Sequence, residues 1–438
     1  MAPEDTSPLQ AVLQPLAGSP EALNAAIEAA QDKTFVLIGE ATHGTHEFYE
    51  TRAAITKRLL QDHGFSAVAI EGDWPDAHRV HRYVNSAGDD HDAHEALAGF
   101  IRFPTWMWRN TDVLEFVEWL RTFNRMRGAT RSAGFFGLDL YSLHASIEAV
   151  INYLERVDPP AADEAKRRYR CFDRFGPDTE QYAYAAASGM SASCKEEALA
   201  QLLAMQRGAF ERIKDSDEEF FGEQNAFVVA SAEEYYRTML DRQISSWNLR
   251  DRFMHATLRR LAAYLERKRG RPAKIVVWAH NSHVGDARAT SMGAGREVNI
   301  GQLCRESEPS CYLIGFTTST GTVTAASDWH SHAERKTVRE PIPQSWEALF
   351  HSLDVPDFYL EIESARKRFP AIDGLRLERA IGVVYRPQTE FYSHYMEARL
   401  GQQFDAIFHF DRTRAVEPLE RTAAWDAGEV PETFPTGI

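Results

Sequence analysis

The stretch FVLIGEATHG, residues 35–44, begins with an apolar run and then halts at Gly39, Glu40, Thr42 and His43. A short run of that kind suits a fully buried strand. In an open α/β sheet, ligands sit at the carboxyl ends of the strands, where loops of small residues let side chains converge. Glu40 and His43 fall at that place. Taken alone, the pair is also served by a capping glutamate and an ordinary loop histidine, so the neighbouring stretches decide.

Residues 45–63 carry a helical pattern closed by Gly64. Phe48, Ile55 and Leu59 recur on one face with Tyr49 and Leu60 beside them, and Arg52 lies within that stripe. A guanidinium facing a core is costly unless paired, so Arg52 requires a carboxylate, with Glu40 and Glu71 the nearest candidates. The next apolar run, 67–70, again ends in an acid, Glu71, followed by GDWPDA. Two strands joined by a helix read as a βαβ unit with parallel neighbours, which would bring Glu40 and Glu71 together. A third run, GFFGLDLYS, ends at Asp139 with Tyr141 just beyond.

Between these strands, RFPTWMWRN (102–110) crowds Trp106, Met107 and Trp108 into a loop that either plugs the core or walls a pocket. With Trp74 they are candidates to enclose a bulky apolar substrate. Residues 142–270 then change character, with Ala, Glu, Arg and Leu in helical patterns such as CKEEALAQLLAMQRGAFERI and RDRFMHATLRRLAAYLERKRG. They read as a helical insertion, a lid over the sheet's active edge. Arg250, Asp251 and Arg252 open its last helix, a charged face by composition yet within reach of the site, with Arg250 a candidate substrate contact.

The sheet resumes at KIVVWAHNSHVGDA, whose apolar run 275–279 ends in His280 and His283. Further strands are expected at CYLIGFTTSTG, FYLEI, IGVVYRP and DAIFHFDR, with HSHAERKTVREPIP as a surface loop. The first twenty residues read as a loosely ordered lead-in, and 21–30 as a short helix. The expected architecture is therefore α/β: a largely parallel sheet flanked by helices, its core formed by 1–141 and 271–438, with 142–270 inserted over the catalytic edge.

A net charge of -15 over 438 residues argues against nucleic acid and against anionic membrane surfaces as partners. With 44% hydrophobic and 26% charged residues the composition is that of a soluble protein. No apolar run approaches the roughly 20 residues of a membrane span, and MAPEDTSPLQ lacks a signal-peptide pattern, so the cytosol is the default location. Cys171, Cys194, Cys304 and Cys311 contain no CxxC pair and read as reduced thiols. The expected partner is a small molecule; oligomeric state is not encoded in any pattern.

No G-x-S-x-G elbow, Walker A loop or H-E-x-x-H is present, and the G-A-G at 293–295 lacks the context of a dinucleotide fingerprint. No cofactor is expected. What remains is a set of strand-end groups, Glu40, His43, Glu71, His280 and His283, with Arg52 from the intervening helix. They suit activation of water by a general base, with an arginine and a second imidazole steadying oxyanion charge. They also suit zinc or manganese with an open position. Arg52 favours the metal-free version, because a cation beside the same carboxylates repels a second one. A binding protein holding a hydrophobic ligand or haem without turnover is the alternative from another class.

The strings VLIGEATHGTHEFYETRAAITKRLL, AVAIEGDWPDAHRV, RFPTWMWRN, FFGLDLYS, NLRDRFM and VVWAHNSHVGDA resemble, in the same order, the erythromycin esterase family. That resemblance implies hydrolysis of a macrolide-type lactone ester, with antibiotic resistance as the associated role. It implies no metal, His43 as general base, and Glu40, Arg52, Glu71, His280 and His283 in supporting roles.

Overall fold

In a computed structural model, which describes residues 5–17, 20–128, 132–176, 179–188, 190, 192–211, 217–241, 243–308 and 310–428, eleven strands are present among the described residues. They are β1 (Gln14–Pro15), β2 (Phe35–Ile38), β3 (Ala67–Asp73), β4 (Gly134–Asp139), β5 (Ile275–Trp278), β6 (Cys311–Ala325), β7 (Glu334–Val338), β8 (Asp357–Glu361), β9 (Arg376–Arg379), β10 (Tyr395–Ala398) and β11 (Ala406–Thr413). Nine of them form one sheet in the order β1-β8-β11-β6-β2-β5-β3-β4, with β7 added beside β6, while β9 and β10 make a separate antiparallel pair. From β11 to β4 every pairing is parallel.

The apolar runs have no alternation because both faces are covered. Successive side chains point to opposite sides. Val36 and Ile38 therefore pack with Phe48, Ile55 and Leu59 of helix His46–Asp62 and with Phe116 of helix Thr111–Arg127. Phe35 and Leu37 pack on the other face with Leu258 and Leu261 of helix Ser246–Arg269 and with Ile300. Helix Glu21–Ala30 forms as its alanines lead one to expect.

The described residues between 143 and 269 are helical apart from short connections, and Val150, Tyr153, Ala165, Tyr182, Met205 and Val229 give them an apolar core of their own. The last of these helices begins at a Ser245 side-chain cap and ends at Gly270 in the left-handed conformation (φ 65°). The pattern 194–213 forms helix Lys195–Glu211, and its last two residues lie outside the described ones. Among the described residues no helix is long and apolar enough to cross a membrane.

Five expectations are corrected. β2 and β3 are parallel but not neighbours, because β5 lies between them and pairs with both. The lead-in contributes β1, which pairs with β8. The segment expected as a surface loop at 330–343 contains β7, where Lys336 and Val338 turn inward and pair along β6. IGVVYRP is no strand; Ile381 and Val384 make only isolated bridges to Thr42 and Ala326. Finally, Cys171 and Cys194 form a disulfide rather than two thiols, since the helical segment folds back to bring their Cα atoms within 5.8 Å, while Cys304 and Cys311 are free.

Candidate active site

The sheet's strand order reverses around β5, which fills the gap left when the chain crossed from β2 to β3. That is where the carboxyl ends of parallel strands leave a crevice. Glu40 and His43 follow β2, Glu71 lies within the last residues of β3, Asp139 ends β4, and His280 and His283 follow β5.

Two hydrogen-bonded groups meet there. In the first, Glu40 is fully buried; its Oε1 lies 2.7 Å from His43 Nδ1 and its Oε2 lies 2.8 Å from Arg52 Nη2. The Arg52 approach is a charge contact and not an aligned hydrogen bond, since its guanidinium N–H groups find no acceptor in line. Its charge is also met by ring faces, with Tyr49 at 4.3 Å and Trp278 at 5.1 Å from the guanidinium carbon. Tyr49 ties the loop down, its hydroxyl donating to the His43 carbonyl (3.0 Å) and the Met107 carbonyl (2.9 Å). Gly44 packs against β6 so closely that a Cβ would stand 1.9 Å from the Thr324 carbonyl oxygen.

The second group surrounds Glu71. Its Oε2 accepts from the His280 backbone N–H (2.9 Å), and its Oε1 meets Arg250 Nη2 (2.7 Å) and His283 Nε2 (3.3 Å). Arg250 also forks onto Asp139 at 3.1 and 2.6 Å. His283 Nδ1 faces both oxygens of the buried Asp251 (2.9 and 3.0 Å), and its ring stacks on Trp247 with centroids 4.3 Å apart. Burial opposes charge on Glu71, but His283 and Arg250 hold its carboxyl well below the usual range. Burial likewise opposes charge on His283, yet Asp251 and Glu71 raise it to about 9. An N–H of Arg250 also points at His283 Nε2 from 3.0 Å, which would require a neutral ring. Three buried carboxylates against one guanidinium favour the imidazolium, with Nε2–H turned to Glu71.

His280 joins the two groups. Its ring lies 4.9 Å from that of His43, centroid to centroid. Its Nδ1 accepts from Ser282 N (3.2 Å) and faces Ser282 Oγ (2.8 Å), which places the proton on Nε2. That Nε2 is occluded and makes no well-formed hydrogen bond. Burial, and then the neighbouring His43, push His280 down to about 3, so the ring is neutral.

Glu40 and Glu71 therefore do not meet, contrary to the βαβ expectation; β5 and His280 stand between them, and Arg52 serves Glu40 alone. Arg250 is engaged by Asp139 and Glu71, and Tyr141 lies beneath it (5.0 Å) with Arg102 on the ring as well (4.6 Å). The three tryptophans expected to wall a pocket are almost wholly buried. Trp74 is 1% exposed among Phe136, Phe220 and Phe221. Trp106 and Trp108 are buried in the core, and Trp108 donates its indole N–H to the Glu71 carbonyl (3.1 Å). Large aromatics gain more from full burial than from lining a wet cleft. One cleft of about 710 Å³ lies at the opposite end of the strands, beside Lys33, Tyr312 and Asp405, far from this chemistry.

Asp251 and Trp247 were not singled out from sequence as partners of a catalytic histidine. The signal existed for Asp251, which shares a helical stripe with Met254, Leu258, Leu261 and Leu265 just as Arg52 shares one with Phe48 and Ile55. As for a metal, among the described residues no group of three or more His, Cys, Asp or Glu is arranged to hold one, and Glu40 and Glu71 already face cations.

Comparison with known proteins agrees with this architecture. The chain is similar to YbfO of Bacillus subtilis (strain 168), whose name assigns it provisionally to the hydrolases, with 23% identity over 399 residues, 86% of this chain and 82% of that one. Among solved structures it is similar to a succinoglycan biosynthesis protein (TM-score 0.74, 21% identity, 95% of this chain and 98% of that one). It is also similar to an erythromycin esterase mutant in its open conformation (TM-score 0.62, 18% identity, 93% and 98%). The sequence model of the erythromycin esterase family matches residues 60–413, and the chain belongs to that family.

Proposed function

We propose that this chain hydrolyses ester or lactone bonds by general-base activation of water at His43, without a metal. The observation that carries the reading is the fixed ring of His43. Its Nδ1 is held by Glu40, whose other oxygen faces Arg52, and its Nε2 has no protein partner among the described residues. Nε2 then takes a proton from water as the water oxygen attacks the carbonyl carbon, and returns it to the leaving alkoxide. Glu40 orients the ring and offsets the charge of the imidazolium, a task that needs its own charge fixed in place by Arg52.

His280 is the oxyanion donor in this scheme. It is neutral, its proton is on Nε2, and its ring adjoins that of His43. A buried donor without a good acceptor is costly at rest and useful only when negative charge appears beside it. Glu71 acts on the reaction by holding the His280 backbone, and His283 and Arg250 act through Glu71. Family membership and the hydrolase name of YbfO support the reaction class; macrolides are one member of the substrate class it covers. The test is a panel of esters and lactones, macrolides included, followed by mass spectrometry for gain of one water. His43→Asn should lower turnover by roughly 10² to 10⁴, as loss of a general base does. Normal turnover in that variant, or no hydrolysis across the panel, would refute the proposal.

A further inference from the structure

With Trp74, Trp106 and Trp108 buried, the apolar surface that a substrate can reach lies elsewhere. Ile101 is 81% and Trp329 68% exposed, and what matters is whether such residues gather into a patch. Phe103 lies beside Ile101 in sequence, and its ring meets Trp329 (5.7 Å), His330 (5.4 Å) and Trp106 (5.5 Å). Two loops from different parts of the chain thus join at their aromatic tips.

Both loops are anchored to the candidate active site. Arg102, between Ile101 and Phe103, pairs with Asp73 at the end of β3 (2.8 Å) and lies on Tyr141, which also carries Arg250. Further along the same loop, Met107 shares the Tyr49 hydroxyl with the His43 carbonyl. The second loop follows Ala325, the last residue of β6 and the one after the Thr324 that packs on Gly44, next to His43. Its tip is held by design of the chain and not by burial. Ser331 Oγ donates to the Asp328 carbonyl (2.8 Å), Arg386 donates to the Ser327 carbonyl (3.1 Å) and pairs with Asp328, and His330 adopts φ 63°. A non-glycine residue in that region is strained, and such strain gathers at functional sites. Here it keeps a tryptophan in solvent.

We propose that Trp329, with Phe103 and Ile101, forms the apolar subsite that selects the ester, binding a hydrocarbon portion of the substrate too large for an enclosed pocket. The proposal rests on the hydrolase reading and names what the subsite favours: esters carrying a large aliphatic group over those carrying a small one. An open rim contacts one side of such a group and tolerates its size, whereas a closed pocket would limit it.

The test compares p-nitrophenyl octanoate with p-nitrophenyl acetate. In Trp329→Ala the ratio of kcat/KM values, octanoate over acetate, should fall about tenfold, the scale of a lost hydrophobic contact. Trp329→Phe should restore most of it. The same ratio within twofold of wild type in Trp329→Ala would overturn the assignment. If the wild-type protein cleaves neither ester, the subsite is judged by binding alone, and the hydrolase reading is decided separately by the panel of esters and lactones. Fluorescence titration with N-octyl dansylamide should then give a Kd about tenfold weaker in Trp329→Ala, and an unchanged Kd would overturn the subsite. Because Trp329 is exposed, both variants should melt with the wild type, which separates loss of binding from loss of fold.

Discussion

Replacing Arg52 by methionine tests whether the site depends on charge pairing inside the core. Arg52 and Glu40 are both fully buried and 2.8 Å apart, so Arg52→Met leaves Glu40 with the His43 ring as its sole polar side-chain partner among the described residues. Breaking a buried pair by removing one member costs about 3–5 kcal/mol, because the surviving charge is uncompensated. An unfolding entropy of about 2.1 cal/mol/K per residue makes each kcal/mol worth about 1 °C for a chain of this length, if it melts as one unit. The expected fall in Tm is therefore about 3–5 °C. Glu40→Gln in the same background removes the stranded charge, and the double variant should melt above Arg52→Met alone. Activity should fall in both variants, since the His43 ring loses its charged, fixed partner. Differential scanning calorimetry at pH 7, with an ester assay in parallel, checks both parts. A Tm at or above wild type for Arg52→Met, or no recovery in the double variant, would refute the reasoning.

Exhaustive chelation should leave turnover unchanged, because the carboxylates that would hold a divalent ion already face Arg52, Arg250 and His283; activity lost on chelation and restored by zinc or manganese would reverse that expectation. His283, raised to about 9 against an ordinary value near 6.5, contributes stability that is complete below about pH 6.5 and is lost as pH rises to about 9. Asp251→Asn should flatten that part of the Tm against pH curve, and an unchanged slope would remove the Asp251–His283 pair as its source. Glu378 is buried beneath Asn281, and burial together with the charge of Glu347 raises it to about 8. A carboxyl held protonated in the fold costs stability progressively between about pH 4.5 and 8, so Glu378→Gln should raise Tm at pH 8 and leave it nearly unchanged at pH 4. Equal shifts at both values would count against this account.

Local patterns carried much of the structure. The runs at 35–38, 67–70 and 275–278 suit strands buried on both faces and form them, and β3 runs on through Glu71 to Asp73. Arg52 within an apolar stripe announced a buried ion pair, and the same signal was present, unread, in Asp251. Neither pattern says which strand lies beside which. Parallel strands with uniformly apolar sequences carry no register or partner code, so the placement of β5 between β2 and β3 is settled by packing of the whole sheet. That placement separates Glu40 from Glu71, sets His280 between them, and turns the expected carboxylate pair into two separate groups, each with its own cation. Tertiary packing also decided which aromatics are core and which are rim. Composition rates Trp106 and Trp329 alike, but one fills space between a loop and a sheet while the other is held in water by a strained turn. The sequence by itself determined the chemistry available at the strand ends; the long-range pairing of strands and loops decided which groups face one another, because contacts between residues far apart in the chain leave no periodic trace in it.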